Sequence, residues 1–173
     1  MPSPSFVHKD LGKAKIKREL KGLSTRVALV GIPGGLEAGK TTLATIALVL
    51  EKGSEVMKIP PRPFMRQTRD AAAHGRFAKL MRQYYQLVAE KKMPAEQALK
   101  RLGAAYVMEM QGTIISGDFK ANAPITIHGG WMRNRISGRP FKVEGKHSTR
   151  PLIDTGRLRQ SITFKVAGAK EAK

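Results

Sequence analysis

The sequence predicts one domain that combines helices and strands. Residues 25–32 are β-branched and aliphatic and run into a Pro-Gly-Gly turn, which is typical of a strand and the turn that ends it. Residues 161–166 alternate between polar and apolar side chains, and this period predicts a second strand. Between the two strands, apolar residues recur every three or four positions along three stretches, which predicts three helices.

The three predicted helices have recognisable ends. The first starts near Thr41 and ends before Gly53, a residue type favoured just beyond a helix C-terminus. The second covers about residues 67–91. The third runs from Pro94 to about residue 115, because proline fits the first turn of a helix. The residues expected to face the core are Leu43, Ile46, Ala47 and Leu50 in the first helix, Phe77, Leu80, Met81, Tyr84, Leu87 and Val88 in the second, and Ala95, Ala98, Leu99, Leu102, Tyr106 and Met110 in the third.

The rest of the chain is predicted to be extended or irregular. Residues 59–66 hold three prolines, so they are expected to form a stiff extended connector. Residues 117–150 are rich in Gly, Pro, Arg and Lys and predict a long basic loop, part of which is expected to form a hairpin. We therefore divide the chain into a basic N-terminal arm (1–24), a single domain (25–167) and a flexible tail (168–173).

The charge of the chain is its most unusual bulk property. Lysine and arginine number 32 against 13 aspartates and glutamates, which gives a formal net charge of +19. Such a charge repels itself, and nucleic acid or acidic protein surfaces would compensate it. Solubility alone is the simpler explanation. The side chains predicted to make these contacts are Lys13, Lys15, Lys17 and Arg18 in the arm, and Arg133, Arg135, Arg139, Lys142, Lys146 and Arg150 in the long loop.

One short motif matches a nucleotide-binding loop. Residues 34–41 fit the phosphate-loop pattern, with Gly34, Gly39, Lys40 and Thr41 at the defining positions, between a predicted strand and a predicted helix. Hydrolysis would also need an aspartate at the end of a buried strand to hold magnesium, and no aspartate follows such a predicted strand. The nucleotide-binding fold further needs several strand–helix–strand units. We therefore interpret the motif as coincidental, a glycine hairpin between a strand and a helix.

No other pattern indicates catalysis or a bound cofactor. The chain has no cysteine, which excludes disulfides, thiolate zinc ligands and thiol catalysis. Its four histidines lack metal-ligand spacing, and its few carboxylates are scattered. No apolar run reaches the ~18–20 residues of a membrane span, and the N-terminus lacks the apolar centre of a signal peptide. The sequence therefore predicts a non-enzymatic protein with no cofactor, metal or membrane partner, made in the cytosol of the producing cell.

Three segments, taken in order, resemble those of tail-completion and neck proteins of tailed bacteriophages. Residues 46–53 are similar to a short helix with a hydrophobic-Glu-aromatic-Gly step, in which Lys52 replaces the aromatic residue. Residues 59–66 resemble the Ile-Pro-x-Arg-Pro-Phe segment of these proteins. Residues 151–162 resemble their Pro-Leu-x-Asp-Thr-Gly-x-Leu ending, which is also found in virion-morphogenesis proteins of Mu-like phages. The order and spacing of the motifs over residues 25–167 make the combination fairly specific.

The resemblance implies a fold, a location and a set of partners. The fold would be a small α+β domain, in which a twisted antiparallel sheet is packed by two to three helices. The protein would be a structural virion protein, assembled in the host cytoplasm, that forms a six- or twelve-fold ring in the neck and joins the head to the tail. Its partners would be further copies of the chain, the head connector or portal-side proteins, and the tail terminator or tail tube proteins. The basic residues would contact packaged double-stranded DNA or acidic surfaces of these neighbours.

Two other functions stay open from the sequence. A nucleic-acid-binding protein, of the ribosomal or architectural kind, would explain the charge but not the proline segment or the Asp-Thr-Gly ending. A small phosphate-loop nucleotide-binding protein would explain residues 34–41.

Overall fold

Helices make up most of the described structure, and its strands pair in three two-stranded antiparallel sheets. The computed structural model describes residues 13–35, 37–38 and 41–168. The predicted α+β class is confirmed. In chain order the elements are α1 (Lys13–Ser24), β1 (Arg26–Gly31), β2 (Glu37–Ala38), β3 (Thr41–Thr42), α2 (Leu43–Lys52), α3 (Phe64–His74), α4 (Arg76–Ala89), α5 (Ala95–Ser116), α6 (Pro124–His128), β4 (Gly130–Arg133), β5 (Pro140–Val143), α7 (Arg157–Gln160) and β6 (Thr163–Gly168).

The main sheet brings together the two strands predicted at opposite ends of the domain. Strand β1 pairs antiparallel with β6, from Arg26 opposite Gly168 to Gly31 opposite Thr163. Helix α5, the longest in the described chain, packs against both strands. Both strand predictions and the prediction of the third helix are confirmed.

Two hydrophobic clusters hold the helices together, and the first also contacts the main sheet. The main core lies between α2, α3, α5 and the segment around α7. A smaller cluster lies between α1, the end of α4 and the start of α5. The buried residues of the main core are Ala47, Phe64, Met110, Ile114, Leu152, Leu158 and Ile162, and those of the smaller cluster are Val88, Met93, Ala95 and Ala98.

Helix α1 is the second half of the predicted arm, and it packs on the body of the protein. Leu20 and Leu23 contact the smaller cluster. The Glu19 carboxylate accepts a hydrogen bond of 3.0 Å from the backbone nitrogen of Ala95, the first residue of α5. A negative charge is favourable there because the N-terminus of a helix is electropositive. The arm is therefore a docked helix from Lys13 onward, and its first twelve residues lie outside the described part.

The helix predicted over residues 67–91 is divided in two, so that prediction was wrong in part. Only Gly75 separates α3 from α4, and its extended backbone (φ −95°, ψ −151°) breaks the helical path. On α4, Val88 is fully buried as expected, whereas Met81 is 50% exposed. Met81 is exposed because it lies on an open groove between α4, α5 and β1 that no other described element covers.

Helix α3 also begins earlier than predicted. The prolines keep residues 60–63 extended, but the connector ends there and the helix starts at Phe64. The Glu51 carboxylate explains this, because it accepts hydrogen bonds from the backbone nitrogens of Met65 (2.8 Å) and Arg66 (3.0 Å). Those two groups have no partner within a helix, so a side-chain acceptor stabilises its first turn.

Residues 117–150 are more ordered than the long loop predicted there. They contain α6 and a hairpin, in which Gly130 pairs with Val143 and Arg133 with Pro140. The expected hairpin is present, and the rest of the segment is irregular apart from α6, which was not predicted. No helix in the described residues is long and apolar enough to cross a membrane.

Gly103 lies where α5 comes closest to the main sheet. It is buried, and a Cβ atom at this position would overlap the ring of Phe164 on β6. Gly112 lies on the same helix, and a Cβ there would meet nothing within 4 Å. A glycine inside a helix costs about 1 kcal/mol relative to alanine. Close packing against the sheet explains why glycine is present at position 103 despite that cost. It does not explain the glycine at position 112.

We expect Gly103→Ala to lower the free energy of unfolding by about 1–3 kcal/mol, because the added methyl group must displace Phe164. Gly112→Ala is the matched control on the same helix. It is expected to raise the free energy of unfolding by up to about 1 kcal/mol, because it gains helix propensity without a clash. Urea unfolding followed by circular dichroism measures both variants, and equal effects would contradict this packing.

Candidate partner-binding site

The feature of the structure best suited to contact a partner is the hairpin formed by β4 and β5, residues 130–143, called here the basic hairpin. Its strands pair with one another and form no extensive contact with any other element in the described residues. Its base is held by backbone hydrogen bonds from Lys146 to Thr126 and from His147 to Ile127, each 3.0 Å long. The basic hairpin is therefore fixed at its base and free along both sides.

Close backbone contact makes this base rigid. Gly129 has a left-handed backbone (φ 77°), and a Cβ atom there would lie 2.7 Å from the nitrogen of Gly145 and 2.8 Å from the carbonyl oxygen of Val143. Only glycine fits such an approach without strain. Residues 129 and 145 thus hold the two strands together where the basic hairpin leaves the body.

The strand register decides which side chains share a face of the basic hairpin. Residues directly opposite one another lie on the same side of a sheet, and neighbours along a strand lie on opposite sides. Trp131 is opposite Lys142, and Arg133 is opposite Pro140, so these four form one face. Met132 is opposite Phe141 on the other face. Each face therefore carries large apolar groups, and the first also carries two cations.

The turn of the basic hairpin is shaped by Asn134. Its side-chain oxygen accepts hydrogen bonds from the backbone nitrogens of Ile136 (2.9 Å) and Ser137 (3.0 Å), an arrangement typical of asparagine in turns. Ile136 is 88% exposed at this tip. Arg135 and Arg139 stand on either side of it and are also exposed.

Four of the predicted contact residues thus lie together on the basic hairpin, and all four are exposed. They are Arg133, Arg135, Arg139 and Lys142. No carboxylate occurs between residues 130 and 143 to offset them. Sequence reasoning found these cations but did not show that the apolar residues among them are exposed, because exposure depends on whether another element covers the strands.

The other two loop residues have different settings. The Lys146 ammonium lies 3.4 Å from the carbonyl oxygen of Arg150 and 3.3 Å from that of Ile153. Burial lowers the pKa of Lys146, and the nearby charge of Asp154 acts in the opposite direction. Its hydrogen bonds tie it to the protein itself, so it is a poor candidate for contact with a partner. Arg150 is exposed.

The basic residues predicted in the arm form a separate exposed surface on α1. Lys13 and Lys17 are four residues apart and so share a face of the helix with Lys21, which sequence reasoning left out of the contact set. Lys15 and Arg18 are exposed on its other sides. Helix α1 packs on α4, α5 and β1, whereas the basic hairpin follows α6. The structure thus divides the predicted contact residues, apart from Lys146 and Arg150, between two surfaces.

The phosphate-loop motif has a geometry unlike that of a nucleotide site. Thr41 lies in β3, which pairs with β2, and helix α2 begins only at Leu43. In a phosphate loop the corresponding threonine belongs to the first helical turn and the preceding strand lies in a parallel sheet. Here β1 pairs antiparallel, and the side chain of Thr42 caps α2 by accepting from the backbone nitrogen of Thr45 at 3.2 Å. Gly39 and Lys40 lie outside the described residues.

Hydrogen bonds join the first two phage-like motifs and lead from the second, through Asn122, to the residues just before the third; this set of bonds is called the junction. Glu51, from the first motif, caps α3 within the second motif. Arg62, from the second, is only 6% exposed, and its guanidinium donates to the carbonyl oxygens of Lys120 (3.0 Å) and Ala121 (3.3 Å) and to the side-chain oxygen of Asn122 (3.1 Å). Burial lowers the pKa of Arg62.

Asn122 links the junction to the residues just before the third motif. Its side-chain nitrogen lies 3.2, 3.4 and 3.1 Å from the carbonyl oxygens of residues 148, 149 and 150, which lead directly into that motif. Within the motif, Leu152 and Leu158 are buried in the main core, and Gly156 has the positive φ of 77° that its glycine predicts. Sequence reasoning did not single out Asn122, which has no motif around it.

Clusters able to hold a metal are not found in the part of the chain that the structure describes, since no three histidine, cysteine or acidic side chains come together there. Comparisons with protein-family models, with curated proteins and with solved structures give no significant match to this chain. The resemblance to phage neck proteins is therefore carried by the three motifs alone and stays a prediction.

We expect Asn122→Ala to lower the free energy of unfolding by about 1–3 kcal/mol, because it removes one of the three acceptors of Arg62 and the side-chain donor to the carbonyl oxygens of residues 148–150. Hydrogen exchange should also quicken across residues 123–147, whose two ends Asn122 holds together. Asn134→Ala is the control, since it removes an amide that bonds only within the exposed turn. It should affect exchange at that turn alone. Matching exchange profiles for the two variants would count against the junction.

Proposed function

We propose that this chain is a structural virion protein that forms a ring in the neck of a tailed bacteriophage and joins the head to the tail. The observation that carries the proposal is the junction of Glu51, Arg62 and Asn122. The three motifs, each similar to one of the family, are connected in the fold. Glu51 of the first caps the helix of the second, and Arg62 of the second is linked through Asn122 to residues 148–150, just before the third. The joint occurrence of the motifs is easier to explain by a shared fold than by three separate coincidences.

The distribution of charge supports a role in assembly. Several carboxylates are already used inside the protein, since Glu19 and Glu51 bond the first turns of helices. Others pair with neighbouring cations: Asp70 with Arg69, Glu90 with Lys92, and Glu96 with both Arg26 and Lys100. The surface is therefore strongly basic, and a closed ring would multiply that charge around its axis. Double-stranded DNA in the channel, or acidic head and tail proteins above and below, would supply the compensating charge.

Exposed apolar side chains also suit a subunit that is covered on assembly. Scattered exposed apolar residues are ordinary on a protein surface, but the largest ones mark contact surfaces when they cluster. Outside the basic hairpin, the large exposed apolar residues are Leu29, Leu48, Val56, Met57, Met81, Tyr85, Met108 and Ile115. Val56 and Met57 are adjacent, and Met81 and Tyr85 lie one turn apart on α4, so both pairs could contact neighbouring subunits.

A nucleic-acid-binding protein is the second candidate function, and one observation favours it. Trp131, Arg133 and Lys142 share a face of the basic hairpin, and an aromatic ring beside cations can stack on a base while the cations bind phosphates. A two-stranded ribbon also fits the major groove of DNA.

We expect a phage that lacks this chain to accumulate DNA-filled heads and complete tails that do not join. Purified protein should restore joining when it is mixed with these heads and tails, as seen by electron microscopy and by infectivity. Lys40→Ala serves as the control and should restore joining fully, because the proposal gives the phosphate-loop motif no role. Infectious particles made in the absence of the chain would overturn the proposal.

Filter binding of a short DNA duplex across a range of salt concentrations separates the two candidates. If the chain is a ring subunit, the isolated monomer should bind the duplex only weakly, through the general attraction of a basic surface for DNA. Tight binding by the isolated monomer, with affinity falling steeply on a log–log salt plot, would instead favour the nucleic-acid-binding protein. Binding of a magnesium nucleotide that is lost in Lys40→Ala would favour the phosphate-loop alternative.

A further inference from the structure

We propose that the basic hairpin is a docking arm that inserts into a groove with apolar walls and an acidic rim on a different protein. The inference rests on the proposed function, because it takes that protein to be a neighbour of the ring in the neck. The proposed function does not decide whether the basic residues contact DNA, further copies of the chain or acidic proteins. The inference goes further by selecting one surface and one kind of partner.

The first argument is that the basic hairpin is formed in advance but lacks a packing partner. Its base is fixed by Gly129 and Gly145, and its turn is fixed by Asn134. A two-stranded hairpin alone is marginally stable in water. A segment that is held at both ends and uncovered along its length loses little conformational freedom when a partner covers it.

The second argument is the position of its apolar groups on both sides. Trp131 is 71% exposed on one face, Phe141 is 44% exposed on the other, and Ile136 is almost fully exposed at the tip. A flat surface can cover only one of these faces. A groove that receives the whole hairpin covers both faces and the tip, and buried tryptophan anchors of this kind often dominate the affinity of protein interfaces.

The third argument is charge. The four cations of the basic hairpin have no carboxylate among them, so a partner surface must be acidic around the groove to receive them. A second copy of this chain is a poor partner, since its net charge is +19. Like charges brought together at an interface oppose binding.

DNA fits the cations but not the apolar groups. A duplex would accept Arg133 and Lys142 on the first face, yet Met132 and Phe141 would then point away from it and stay in water. Binding to DNA therefore leaves unexplained why the second face is apolar. A protein groove accounts for the cations, both apolar faces and the apolar tip together.

Photo-cross-linking from the tip identifies the occupant directly. Ile136 is replaced by p-benzoylphenylalanine in cells that assemble the particles, and the cells are irradiated. The proposal expects a cross-link to one different protein, mapped by mass spectrometry to an apolar segment flanked by aspartate or glutamate. The control places the same group at Met108, which is 72% exposed on α5, and should not label that segment. Cross-links to DNA, to a second copy of this chain or to nothing at all would each overturn the proposal.

Charge reversal tests the acidic rim. Arg133→Glu with Lys142→Glu should reduce the cross-link from residue 136 roughly tenfold or more, as expected when charge pairs at an interface become repulsive. Lys79→Glu with Arg82→Glu makes the same change of charge at exposed positions on α4 and should leave the yield unchanged. Equal losses in the two pairs would overturn a specific acidic rim. Circular dichroism confirms that each variant is folded.

Two measurements, one on purified particles and one on whole cells, separate this proposal from the proposed function. Presence of the chain in purified joined particles, and its need for joining, test the role in the neck. The cross-link is measured in whole cells and so reports on docking even when the chain is absent from particles. A protein cross-link with no neck role would overturn the proposed function alone, whereas a neck role without that cross-link would overturn the docking arm alone.

Discussion

The buried guanidinium of Arg62 is the interaction on which the presentation of the basic hairpin depends. It binds the segment at residues 120–122, and Asn122 in turn binds residues 148–150. These two segments are the beginning and the end of the loop that contains α6 and the basic hairpin. The hydrogen bonds therefore hold together the two ends of a loop of about 25 residues, which limits the conformations that the loop can adopt. The hairpin is held by this closure, since its strands make no extensive contact with another element in the described chain.

Arg62 has no carboxylate partner among its hydrogen bonds, and this suits a chain that is already strongly basic. A buried cation is costly unless its donors are satisfied, and here two carbonyl oxygens and one amide oxygen satisfy them. Burial lowers the pKa of Arg62, but arginine titrates so far above neutral pH that the group stays charged. Carbonyl acceptors also fix the direction of the planar guanidinium, so the side chain works as a rigid connector. A lysine would offer a point charge without that geometry.

Helices α2 and α5 and the main sheet could be predicted because each follows a periodic apolar pattern with one covered face. Two classes of feature could not. The start of α3 depends on Glu51, a residue on another helix, and no local pattern reports such a contact. Trp131 and Phe141 are exposed because no other described element covers β4 and β5. The sequence does not reveal this, because the same apolar residues occur in strands that are covered. The basic residues predicted to contact a partner are exposed, except Lys146, whose ammonium turns toward the chain's own carbonyl oxygens. Their role as contacts stays a prediction.

The division of the cations between two surfaces has a consequence for assembly. Those on α1 lie on a helix whose apolar side is already covered by α4 and α5, so that surface can offer a partner mainly charge. Binding through charge alone tolerates many partners and weakens steeply with salt. Those on the basic hairpin lie among uncovered apolar groups, and burial of apolar area adds a contribution that salt does not screen. One chain thus has a surface suited to a polyanion such as DNA and another suited to a specific protein. The proposed ring subunit, placed between packaged DNA and its protein neighbours, would need both kinds of contact.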